Sequence, residues 1–399
     1  MKNSILNFEY KGTVAISYCV MFVEGAINAI IVALMVILSS KFNRPSGDIA
    51  TLVAIKSLGS LCVLFVVGKT SDKIGRKIPI SVGLILAMIF IVCFALTDNY
   101  YIAMVLALIS GISHGLTDSP AMSLLFDALS GKNTGPALSI VQVFFAGGGV
   151  FTTLLASIII KYNLNYILIF ALLFIINIGV LSLSIFCKYP PLVSSKEKLT
   201  RHVEYENKPT FKNEGKILLL CALSNASFQS IVMTWLPTYI EKIKGFDVAS
   251  SVAMLSSFQI GAVTGAIVFA LVLRRVHSIK ILFLNPILSI MVFMVLFIVN
   301  NPFIILVAVL CLGFLMGTIF SLCVNMGGEL FSDNAGAATG AIGTSSIVGG
   351  AITVWVSGRL INYFGVGYIF TSALVLLFIL IIFTNIFRIK YLNLKPSRR

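Results

Sequence analysis

Four ionisable side chains lie where an apolar stretch should not hold them. Glu24, Lys56, His114 and Asp118 each fall near the middle of a run of roughly 20 largely apolar residues. A charge at such a place costs about 2.5–3.5 kcal/mol on insertion scales, so each needs a chemical reason. Glu24 and Asn28 are spaced i, i+4, as are His114 and Asp118, so on a helix each pair shares a face and can point into a common interior. Lys56 can neutralise only one of the two acids. The acid left over can load and release a proton, with His114 either sharing that proton or serving as a static hydrogen-bond partner. A closed pair of Lys56 with one carboxylate, which only holds helices together, is the bland alternative. The second half of the chain offers neutral groups at comparable depth: Asn225, Gln229, Gln259, Asn325, Ser345 and Ser346. Together with Gln142 these suit hydrogen bonding to the hydroxyl groups of a small solute.

Enzyme chemistry finds little support in the same residues. A hydrolase needs a nucleophile with an adjacent base, or a metal cluster, and only His114 with Asp118 begins such a set. The 7 cysteines show neither a disulfide framework nor metal-ligand spacing. No cofactor is expected.

The elements that position these groups follow from composition. Of 399 residues, 58% are hydrophobic and 11% charged, which excludes an ordinary soluble globule and implies a polytopic membrane protein. About twelve runs are long enough to cross a bilayer as helices. They cover approximately 12–38, 47–67, 78–97, 101–129, 135–160, 164–187, 215–240, 248–272, 281–299, 302–330, 335–360 and 365–388. The first run reads as an uncleaved anchor, since no small-residue cleavage site follows a short apolar core. Lys and Arg are unevenly distributed. With the N-terminus inside, about 22 of them lie on cytoplasmic segments and about five outside, which orients both termini toward the cytoplasm. The net charge of +14 is then topology and attraction to anionic lipid headgroups, with no nucleic acid partner required.

The long polar stretch 188–214 separates an N-terminal six-helix bundle, 1–187, from a C-terminal one, 215–399, which ends in a short basic tail. Sliding one half over the other by about 201 positions aligns Gly135 with Gly336, Gly148 and Gly149 with Gly349 and Gly350, and Thr152 with Thr353. This indicates an internal duplication. Trp235 and Tyr239 flank Pro237 near one end of the seventh run and read as interfacial aromatic anchors. Arg359 is expected to snorkel to the headgroups.

Residues 68–77, Gly-Lys-Thr-Ser-Asp-Lys-Ile-Gly-Arg-Lys, read as a short cationic loop between the second and third runs. A Gly near each end permits a tight reversal. With Gly68, Asp72, Lys73, Gly75, Arg76 and Lys77 in place, the segment resembles the signature loop of the major facilitator superfamily, G-x-x-x-D-[RK]-x-G-[RK]-[RK]. Thr70 departs from the hydrophobic residue often found there. A weaker partner, Arg274 to Lys280, keeps the cations and loses the Asp and the glycines.

The resemblance implies an all-α, 12-helix transporter of bacterial inner-membrane type, in two pseudo-symmetric six-helix bundles, working as a monomer by alternating access. The expected function is proton-coupled symport of a small hydrophilic solute, a sugar or a hydroxylated organic acid. Drug or metabolite efflux by proton antiport, and a non-transporting sensor, are the alternatives. The fifth run lacks the Gly-Pro placement of the superfamily's drug/proton antiporters, which weakens efflux. The resemblance also implies a cytoplasmic gate: Arg76 pairing with Asp127, Asp72 facing the positive end of the helix that begins near Ala335, and Arg275 pairing with Glu329.

Overall fold

The computed structural model describes residues 11–128, 134–189, 210–273, 275–331 and 335–394. Among them the regular structure is helical: α1 (Lys11–Ala33), α2 (Met35–Phe42), α3 (Ser46–Ile74), α4 (Lys77–Leu96), α5 (Tyr100–Ala128), α6 (Thr134–Lys161) and α7 (Ile167–Phe186), then α8 (Lys216–Lys244), α9 (Val248–Val272), α10 (Ser278–Ile298), α11 (Pro302–Met316), α12 (Ile319–Leu330) and α13 (Ala335–Asn393). Eleven continuous helical runs among the described residues are long and apolar enough to span a bilayer. The last of them is long enough to cross twice. It breaks at Gly365, whose φ of 78° and ψ of 168° lie outside helical space, so the helix divides there into two spans. Conversely, the first expected span is two helices, since α1 and α2 part at Leu34 with φ −102° and ψ 14°.

Large apolar side chains cover the outside. On α4, Ile85, Ile89 and Val92 are exposed, and on α7 so are Leu172, Ile175 and Phe186. Surface of this kind on helix after helix is stable only against hydrocarbon, and the protein is a multi-pass membrane protein.

The helices fall into two compact units. The first comprises Met1–Glu197 with Asp247–Ser256, the second Lys198–Phe246 with Ser257–Arg399. The linker proposed at 188–214 has residues 190–209 outside the described set, as are the tail residues Lys395, Arg398 and Arg399.

Within each unit, glycines let helices meet backbone to backbone. In the first unit a Cβ on Gly111 of α5 would stand 1.9 Å from the carbonyl oxygen of Lys56 on α3. A Cβ on Gly148 of α6 would be as close to that of Phe22 on α1. The second unit repeats the first device: a Cβ on Gly313 of α11 would lie 1.9 Å from the oxygen of Phe258 on α9. Gly59 and Gly261, which face α5 and α11, show the same relation, against Leu108 and Leu310 respectively. Numbering along the two halves therefore corresponds at an offset of about 202 for these pairs, close to the 201 expected from sequence. Residues at equal offset occupy equal stations in the two units, which allows a direct comparison of their chemistry.

Two expectations from the sequence are corrected here. Residues 68–74 form no loop: α3 runs on to Ile74, and the reversal is confined to Gly75 and Arg76. Gly75, at φ 91° and ψ 162°, adopts backbone that other residues rarely reach, so one glycine makes the turn and Gly68 is free to remain helical. Nor are Trp235 and Tyr239 interfacial anchors. Trp235 is fully buried, its indole N–H donating to Ser357 Oγ at 2.9 Å, and Tyr239 stacks on Phe370 at 4.1 Å with its hydroxyl donating to Leu296 O. Both polar tips find partners inside the bundle, so neither needs the headgroup region. α8 passes through Pro237 as one continuous helix.

Candidate functional site

The polar centre of the first unit is built on α1, α3 and α5. Glu24 of α1 is fully buried. Its Oε1 accepts from Thr117 Oγ1 at 2.9 Å and from Ser113 Oγ at 3.2 Å, two hydroxyls one turn apart on α5. Its Oε2 stands 3.3 Å from His114 Nδ1. The carboxylate is thus faced from one side by three groups of a single helix, two of them hydrogen-bonded to Oε1 while Oε2 and His114 Nδ1 stand at ion-pair distance without a hydrogen bond, and the close approach of α5 to its neighbours is what brings them within reach.

Both hydroxyls have a second acceptor. Ser113 Oγ also lies 2.8 Å from Gly83 O, and Thr117 Oγ1 lies 3.0 Å from Ser113 O and 3.1 Å from His114 O. A hydroxyl carries one proton, so each must choose. When Glu24 is ionised the hydroxyls turn to it. When it is neutral they rotate back to backbone carbonyls. Neither state leaves the Ser113 or Thr117 hydroxyl proton without an acceptor.

Asp118, one turn beyond His114, is half-buried and makes no hydrogen bond or ion pair among the described residues. Lys56 of α3 is 4% exposed, and its Nζ has no hydrogen-bond partner among the described residues. The closed Lys56–carboxylate pair weighed from the sequence is therefore not formed: the partner of Glu24 is His114. Asn28 is exposed whereas Glu24 is fully buried, so the expected i, i+4 pair does not share an environment. Gln142 on α6 is half-buried.

The second unit answers these positions with neutral groups. Asn225 and Gln229 of α8 stand at the stations of Glu24 and Asn28, and Gln229 Nε2 donates to Asn225 Oδ1 at 3.2 Å and to Met316 O at 2.9 Å. Met316 occupies the station of His114. At the station of Gly83 stands Asn285, which donates to Leu315 O, at the station of Ser113, at 2.9 Å and to Thr318 Oγ1 at 3.3 Å. Gln259 of α9 is 5% exposed and both ends of its amide lack a partner among the described residues. At the stations compared, the ionisable groups among the described residues belong to the first unit, and the second repeats the framework there with neutral ones.

Residues 16–352 match the family model described as the Major Facilitator Superfamily. The chain belongs to the major facilitator superfamily. It is 27% identical over 356 residues to an uncharacterized MFS-type transporter, YfkL, of Bacillus subtilis strain 168, an alignment covering 88% of this chain and 89% of that protein. It is 24% identical over 366 residues to the inner membrane transport protein YdiN of Escherichia coli K12, covering 88% and 85%. A TsgA homolog of Yersinia enterocolitica is 23% identical over 355 residues, covering 88% of each chain. Membership of this superfamily makes the chain a membrane transport protein, with a small molecule as its cargo.

Of the superfamily gate expected from sequence, the side chains of Gly68, Asp72 and Asp127 and the residues at the start of α13 lie outside the described set. Arg76 donates to Ser71 Oγ at 2.7 Å, at the turn made by Gly75. In the second unit, Glu329 is met by Tyr391, whose hydroxyl donates to its Oε1 at 2.9 Å, and by His277 Nε2 at 3.8 Å. Arg275 is exposed, and no pair between it and Glu329 occurs among the described contacts. His277 was legible as part of a cationic stretch, yet it works differently. Its Nδ1 caps α10 by accepting from Ile279 N–H, which leaves Nε2 to meet Tyr391 Oη at 3.0 Å.

The residues that sequence reasoning missed are Ser113 and Thr117. Their signal was present, since they precede His114 and Asp118 by one position each and share a face. Hydroxyls on apolar helices usually bond their own backbone, so nothing in the sequence distinguished these two.

Proposed function

We propose that this chain is a proton-coupled symporter for a small hydrophilic solute, working by alternating access in the cell membrane with both termini in the cytoplasm. Glu24 and His114 form the proton-carrying pair, and Asp118 is the acid that exchanges with it. The observation that carries the reading is the double set of acceptors around Ser113 and Thr117. A carboxyl whose hydroxyl donors have somewhere else to go can be charged in one half of the cycle and neutral in the other, with neither hydroxyl proton left without an acceptor. Asn225, Gln229, Gln259 and Gln142 are assigned to solute hydrogen bonding. Asp72, Arg76, Asp127, Arg275 and Glu329, with the glycines Gly68 and Gly75, are assigned to the gate.

The test uses proteoliposomes of the full chain with a pH-sensitive dye trapped inside, challenged with gradients of sugars and of hydroxylated organic acids. Coupled inward flux acidifies the lumen. Glu24→Gln keeps the shape of the carboxyl and an acceptor for both hydroxyls, so it should fold normally and abolish the acidification while leaving solute exchange measurable. Asp118→Asn should lower the acidification and shift its pH dependence. Parent-level acidification in both variants, or solute accumulation indifferent to a pH gradient, sinks the proposal.

A further inference from the structure

Lys56 is the one ionisable member of the charged cluster that the proton chemistry leaves without a task. Its ammonium is buried on α3 and forms no hydrogen bond among the described residues. Glu24 lies close enough to influence it electrostatically, but the carboxylate of Glu24 faces α5, with Ser113 and Thr117 donating to Oε1 and His114 Nδ1 3.3 Å from Oε2, and it makes neither a hydrogen bond nor an ion pair with Lys56 among the described residues. Desolvating an ammonium without a hydrogen-bonded counter-ion costs several kcal/mol, so a protein that keeps one there needs a compensating use for it.

The second unit shows that the architecture does not require this cation. The station of Lys56, where the backbone carbonyl receives a glycine of the facing helix, is held there by Phe258, which is 2% exposed. The same helix pair thus closes around an aromatic ring without charge. A packing role for the Lys56 side chain is accordingly met better by an apolar residue, and its three donors remain to be accounted for.

We propose that Lys56 is an anion-binding residue of the transport site and that the cargo carries a carboxylate, so that a hydroxylated organic acid, not a neutral sugar, is the substrate class. This rests on the symporter reading and narrows it. The acid group pairs with Lys56 Nζ through charge-assisted hydrogen bonds. Binding a monovalent anion beside an acid that has taken up a proton also leaves the net charge of the cluster nearly unchanged from that of Lys56 beside ionised Glu24, which gives the proton a physical reason to accompany the solute.

The experiment measures ligand-induced thermal stabilisation of the purified full chain. The probes are shikimate, quinate and gluconate, set against the methyl ester of shikimate, glucose and tetraphenylphosphonium. At least one acid should raise the melting temperature, and its ester should not. Lys56→Met should weaken the binding of that acid by roughly tenfold or more, as expected for loss of a charge-assisted bond, while Lys56→Arg retains most of it. Stabilisation by glucose or tetraphenylphosphonium only, by none of the acids, or equally by acid and ester overturns the proposal. So does acid binding that survives Lys56→Met undiminished in a variant that remains folded. Failure of the symporter reading looks different: acid-induced stabilisation persists with its Lys56 dependence, but adding the acid to dye-loaded proteoliposomes moves no protons.

Discussion

Replacing Gly111 by alanine puts a methyl carbon 1.9 Å from Lys56 O, 2.8 Å from Lys56 C and 2.9 Å from Ser60 N. All three are backbone atoms of α3, so no side chain can swing aside. Real Cβ contacts do not fall below 3.0 Å, and the two helices must therefore separate by about 1 Å along this contact. Overpacking of this kind costs about 1–3 kcal/mol. The displacement carries His114 and Asp118 away from Lys56, since they ride on the same helix three and seven residues beyond the contact. The control is Gly179→Ala on α7, where a Cβ meets nothing within 4 Å and the helix gains propensity. The assay is the apparent melting temperature in detergent alongside proton movement in dye-loaded proteoliposomes. Gly111→Ala should melt earlier and lose most of the proton flux, while Gly179→Ala melts at or above the parent and transports normally. Equal behaviour of the two variants, in either direction, refutes the claim that helix proximity at Gly111 sets up the cluster.

Tyr391→Phe removes both the donor to Glu329 and the hydroxyl that meets His277, contacts that join α13 to α12 and to the start of α10. A bond to a charged acceptor is worth about 1.5–3 kcal/mol, and this partly exposed one belongs at the low end. Hydrogen exchange should quicken at the end of α13 and the start of α10, and unchanged exchange would count against the link. Asp247 precedes α9 and accepts Ser250 N–H at 2.9 Å, and hydrogen bonding from the Ser250 hydroxyl and then from its backbone N–H holds the carboxyl below the usual carboxylate range. With the folded-state value depressed, the stabilisation is fully present above about pH 4 and is lost as the pH falls through that value. Asp247→Asn should cap the helix and flatten this acid dependence, whereas Asp247→Ala should lose about 0.5–2 kcal/mol at neutral pH, read from melting curves between about pH 3 and 7.

The sequence by itself determined the class of molecule, because hydrophobic run length and the cost of a buried charge are properties of composition and need no coordinates. It singled out Glu24, Lys56, His114 and Asp118 for the same reason. It also carried the duplication, through glycines whose spacing survives where other letters drift. What it left open was which charges meet. Lys56 and His114 are both eligible partners for Glu24 on paper, and only the packing of α5 against its neighbours, through Gly59, Gly111 and Gly115, chose His114 and left the amine without a hydrogen bond. Burial was likewise a tertiary matter: Trp235 and Tyr239 are of the residue types that favour membrane interfaces, and bonds to Ser357 and Leu296 put them inside the bundle. Run length says that a helix crosses the bilayer, but its rotation about its own axis is set by the helices packed on it, and that rotation decides which side chains reach one another.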